Sequence, residues 1–97
     1  MGVHKTWLRF TRENAEQAPD GQGIYEICSL SPGGKKLWRL GKVPNLRKRL
    51  MTRLTDPPPP ENCYFRYYEA GVSRDIDELA GKLFDSYKER SGDAWEG

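Results

Sequence analysis

Sulfur, histidine and long apolar runs are scarce in this chain. Cys28, Cys63 and His4 are the only cysteines and the only histidine. No Cys-x-x-Cys spacing joins them, which argues against zinc and against a disulfide framework; two buried reduced thiols in a cytoplasmic protein are expected. No apolar stretch reaches membrane-spanning length and no signal-peptide pattern opens the chain, so neither insertion nor secretion has support. Excess charge of one sign is missing too. A net charge of +2 makes no polycation, so any affinity for nucleic acid must come from a local patch. Hydrophobic residues make up 36% and charged residues 31% of 97, which fits one small domain with a heavily solvated surface and leaves no room for a second lobe.

What is present falls into short, well-punctuated segments. Residues 3 to 10, with Trp7, Leu8 and Phe10, read as a strand or arm covering part of the core, inside an N-terminal extension of residues 1–20 ahead of a core at 21–92. Thr11 caps a short helix that Pro19-Asp20-Gly21 ends. Gly23 to Ser29 and Lys36 to Gly41 form a hairpin across Ser31-Pro32-Gly33-Gly34. Strict alternation puts Ile24, Glu26 and Cys28 on one face and Tyr25 and Ile27 on the other. The same rule sets Arg39 with Leu37, opposite Trp38 and Leu40.

Asn45 caps a second helix reaching about Leu54, with Leu46, Leu50 and Leu54 as its buried stripe. Arg47 and Lys48 read first as its solvated face. Arg49 and Arg53, one turn apart, border the leucines and lean over the edge of the sheet. Cys63 to Ala70 is an aromatic strand, with Tyr64, Arg66 and Tyr68 on a face able to stack unpaired bases. Asp75 caps a last helix expected to run to about Arg90, carried by Ile76, Leu79, Ala80, Leu83, Phe84 and Tyr87. Residues 57–60 are a rigid polyproline spacer, and secondarily a ligand for a protein partner. The expected fold is α+β: a small three-stranded antiparallel sheet flanked by helices.

The order of these pieces resembles the GIY-YIG nuclease domain. Gly23-Ile24-Tyr25 reads as its first tripeptide, Arg39-Leu40-Gly41 stands at the second, and Asn45-Leu46-Arg47-Lys48-Arg49-Leu50 is similar to its arginine-bearing helix. The resemblance implies a phosphodiester-cutting site with one divalent metal, Mg or Mn, held by a glutamate on the last helix. Tyr25 matches the first tyrosine, Lys42 the following lysine and Arg49 the catalytic arginine. The second tyrosine, however, is Arg39, which stays protonated and cannot serve as a base. The metal glutamate falls on Ala80, which offers no oxygen, and Asp77 one turn earlier is the best salvage ligand.

Positive charge has thus been added where negative charge is lost. The resulting expectation is a catalytically inactive binder of DNA or RNA phosphates, with Arg39, Lys42, Arg49 and Arg53 clustered beside Tyr25 and Arg47, Tyr64 and Arg66 in support. It requires those guanidiniums to lie together with no acidic oxygen aimed among them. The alternatives are a metal-dependent endonuclease with a rewired site, using Tyr25, Arg49 and Asp77, and a protein-interaction module on the same scaffold.

Overall fold

The computed structural model describes residues 3–55, 58–69 and 76–96, with side chains from Thr6 onward. In chain order the elements are β1 (Val3–Arg9), α1 (Arg12–Glu16), β2 (Gly23–Ser31), β3 (Gly34–Val43), α2 (Leu46–Arg53), β4 (Cys63–Glu69) and α3 (Ile76–Asp85). The fold is α+β, and the sheet is antiparallel and open. It has four strands in the order β1-β4-β2-β3, so the expected count of three is corrected. The added strand is the N-terminal segment, which runs along the outer edge of β4 and pairs Leu8 with Phe65.

Alternation sorts the core into two layers. Tyr25, Ile27 and Phe65 pack beneath Leu46 and Leu50 of α2 on one face. Ile24, Cys28, Leu37, Leu40 and Tyr68 pack against Ala80 of α3 on the other. Each of the two wholly buried α2 leucines contributes about 1.5–3 kcal/mol by leaving water. Asn45 caps α2 by accepting from the Lys48 amide at 2.9 Å, as its residue type implies. The hairpin turn needs glycine at Gly34, where φ is +125°.

One bulge changes the face of a key residue. Ile27 pairs with Arg39 but Cys28 pairs with Leu37, so Trp38 is the extra residue on β3. Leu37 and Leu40 therefore point to the α3 side, while Trp38 joins Tyr25 and Ile27 on the α2 side. The expected separation of Trp38 from Arg39 fails for that reason. The Arg39 guanidinium instead lies 4.5 Å from the centre of the Trp38 ring.

The last helix is also shorter than expected. The cap proposed for Asp75 lies outside the described residues, as do Asp56 and Pro57 of the proline segment. At its other end α3 stops at Asp85, not Arg90. The Ser86 hydroxyl donates to the Leu83 carbonyl at 2.6 Å, and the chain then turns back toward the sheet. Residues 89–96 run parallel to β3 and cover its outer edge. The amides of Leu37 and Leu40 donate to the carbonyls of Glu89 (2.9 Å) and Ala94 (2.7 Å). Those of Ser91 and Glu96 donate back to Leu37 (2.9 Å) and Leu40 (2.8 Å). No helix among the described residues is long and apolar enough to cross a membrane.

Candidate functional site

The arginines of β3 and α2 do come together. Arg39 leaves β3 on the α2 side because its cross-strand partner is Ile27, and Arg49 and Arg53 hang over that edge from consecutive turns of α2. All three converge on one acidic side chain, Glu96, carried there by the segment that covers β3. Arg53 donates through Nε at 2.8 Å and approaches with Nη2 at 2.5 Å, both to Oε2. Arg39 Nε stands 3.6 Å from Oε2, and Arg49 Nη1 stands 3.6 Å from Oε1. Those two are ion pairs too long for hydrogen bonds. The expectation of a corner free of acidic oxygens is thus corrected.

Glu96 is almost enclosed, with its side chain 12% exposed. Burial pushes its carboxyl up, to about 7. Burial, then the neighbouring Arg53 charge, holds the Arg49 guanidinium below its ordinary range. Two buried atoms here have no hydrogen-bond partner, Tyr25 Oη and Glu96 Oε1. Gly41 makes the arrangement possible. A methyl group there would lie 3.0 Å from Glu96 Cβ and 3.2 Å from Tyr25 Cε1, so tyrosine ring and acidic side chain meet across a residue without one. Beside the corner opens a groove of about 270 Å³, lined by Val43, Pro44, Asn45, Lys48, Arg49 and Thr52.

No family model matches the chain, and neither a curated protein nor a solved structure does.

The remaining expected site residues are placed elsewhere. Lys42 pairs across the sheet with Ile24, so it leaves β3 on the α3 side and bonds to Asp77. The pair is removed from the arginine corner, which corrects the cluster expected around Tyr25. Arg47 donates to the Ala18 carbonyl at 2.9 Å and ties α2 to the end of the α1 segment. Arg66 donates to the wholly buried Glu26 at 2.6 Å, and the hydroxyl of Tyr87 donates to the other Glu26 oxygen at 2.5 Å. The Cys28 thiol donates to that hydroxyl at 3.3 Å, completing a buried network on the α3 face.

Tyr64 lines a second hollow on that face, about 390 Å³, with Trp7, Cys28, Leu30 and Lys35. Its rings already carry cations: Arg9 lies 5.7 Å from the Tyr64 centroid, and Lys35 and Arg66 lie 4.7 and 4.3 Å from that of Trp7. The expected stacking face is therefore engaged by the chain's own side chains.

A divalent cation does not fit the arginine corner. It needs several hard oxygen ligands, whereas Glu96 is a single carboxylate facing three guanidiniums. Asp77, the salvage ligand, is bonded to Lys42 instead. Among the described residues no three His, Cys, Asp or Glu side chains group as metal ligands. Glu96 itself gave no signal in the sequence, because its position depends on where the chain turns after α3. Glu26 did give one, as a charge inside the apolar run Ile24 to Cys28.

Proposed function

We propose that the chain binds nucleic acid through its phosphates, as a diverged domain of the GIY-YIG kind that no longer cuts. The single observation carrying this is the convergence of Arg39, Arg49 and Arg53 on one buried carboxylate, whose side chain meets the Tyr25 ring across Gly41. Three guanidiniums against one carboxylate leave two positive charges in excess, and the carboxylate occupies the place an anionic oxygen would take. The groove past Arg49, with Lys48 on its wall, continues that surface along α2 and suits the next phosphate of a strand. Hairpin, helix, strand and helix follow in the order the resemblance implies, with Tyr25 and Arg49 on the same side. Glu96 breaks the condition set from the sequence, that no acidic oxygen be aimed among the guanidiniums, so the reading stands only as binding in which Glu96 gives way to a phosphate or shares the corner with it.

Titrating a labelled oligonucleotide between about 20 and 200 mM salt tests the reading. Affinity falls with a log–log slope of about 0.7–0.9 per phosphate neutralised, so about 1.5 here for one phosphate in the corner and the next at the groove. Replacing Arg39, Arg49 and Arg53 together by alanine removes most of that slope. Absence of binding at low salt defeats the proposal. Incubating plasmid with magnesium or manganese separates it from the endonuclease alternative: no nicking is expected, and nicking abolished by Arg49→Ala would make the chain an enzyme after all.

A further inference from the structure

Resting on the phosphate-binding reading above, we propose that Glu96 selects the ligand: the corner accepts a phosphomonoester, the terminal phosphate of a nucleic-acid strand, in preference to the diesters inside it. A carboxylate fills this space poorly. Only Arg53 reaches hydrogen-bond distance, while Arg39 and Arg49 stand off at 3.6 Å. Oε1 of Glu96 and the Tyr25 hydroxyl are buried without partners. Arg39 spends Nη1 on the Trp38 carbonyl at 2.8 Å, but a planar group with two oxygens leaves its Nε, the Arg49 guanidinium and the Tyr25 hydroxyl without an acceptor in the corner. A tetrahedral terminal phosphate offers three free oxygens, one for each guanidinium, with lone pairs left for the tyrosine hydroxyl.

Charge decides between the two kinds of phosphate. Glu96 is a competitor within the same chain, held by the Leu40–Glu96 and Leu40–Ala94 backbone bonds and by the ring of Trp95 against Phe84, centroids 5.1 Å apart. Such a competitor acts at an effective concentration on the order of millimolar or above. An internal diester carries one negative charge and two free oxygens, the same as the carboxylate it would displace, so the exchange gains little. A monoester carries about −1.5 to −2 near neutral pH, which the two surplus positive charges favour. The adjoining groove lined by Asn45, Lys48 and Thr52 then receives the strand behind that terminal phosphate.

The test compares oligonucleotides of one sequence carrying either a phosphate or a hydroxyl at the end, by fluorescence anisotropy at low salt. The wild-type chain binds the phosphorylated strand about tenfold or more tightly, and Glu96→Gln narrows the gap by strengthening binding of the hydroxyl-ended strand. Equal affinity of the wild type for the two strands overturns the selection while leaving phosphate binding standing. Binding of neither strand, by wild type and Glu96→Gln alike, overturns both. A mononucleotide that binds as tightly as the phosphorylated strand overturns the assignment to strand ends. Should Glu96→Gln fail to fold, the Trp95 indole N–H resonance of the wild type replaces it as readout. The phosphorylated strand shifts that resonance and the hydroxyl-ended one does not; equal shifts overturn the selection.

Discussion

Glu26 has no exposed surface, and its carboxylate is held by hydrogen bonds from Arg66 and Tyr87. Removing one member of a buried pair costs more than the pair itself contributes, because the other charge is stranded. Glu26→Ala is expected to destabilise by about 3 kcal/mol, the low end for such breaks, since the Arg66 side chain is 21% exposed and can turn toward water. Urea denaturation measures it, with Glu26→Gln intermediate because it keeps a partner for Tyr87. Cys28 of the same network gives a pH signature. Burial pushes its thiol up to about 11 from an ordinary 9.0, so the folded chain holds that proton after the unfolded chain has released it. The stabilising difference is complete below pH 9 and is lost as pH rises toward 11, by about 1.4 kcal/mol per pH unit. Comparing denaturation midpoints at pH 8.5 and 10.5 in wild type and Cys28→Ala isolates it: the variant loses less, and equal losses refute the assignment. At this scale the sequence was partly readable. Arg49 and Arg53 were bound to lie together at helical spacing, and alternation counted from Arg39 already separates Lys42 from it.

Elements were more readable than their ends. Period-two patterning placed β2, β3 and β4, and the leucine spacing placed α2, because each depends on neighbours in sequence. The bulge at Trp38 and the early stop of α3 were not readable, because both answer to distant partners: Trp38 to the core under α2, Tyr87 to Glu26. The cap of α2 offers a local check. Asn45→Ala removes the acceptor for the Lys48 amide and the donor to Asp20, and is expected to cost about 1 kcal/mol in thermal or urea unfolding. Asn45→Ser, which keeps an acceptor for the amide, recovers part of it. No recovery would mean that the Asp20 contact, not the cap, holds the start of the helix.

Across the whole molecule the sheet divides the charge by role. The α2 side gathers arginines around one acidic group, whereas on the α3 side Arg66 and Lys42 are each matched to a carboxylate. A chain of net charge +2 therefore gathers surplus positive charge at one corner, while Arg66 and Lys42 on the other face are each paired. Glycine makes that division possible where layers meet: at Gly23 a methyl group would fall 2.3 Å from the Tyr68 carbonyl oxygen, so β2 and β4 would have to part.

The strip that runs beside β3 has one more effect, on how copies of the protein treat one another. With Glu89 to Glu96 in place, the amides and carbonyls of Leu37 and Leu40 are spoken for. A protease clip after Ser86 would bare them, and an uncovered strand rim is a template on which further chains can stack. Such a clipped protein is expected to elute as dimers and larger species in size-exclusion chromatography while the intact chain stays monodisperse, so loss of the ribbon would leave the sheet open to self-association.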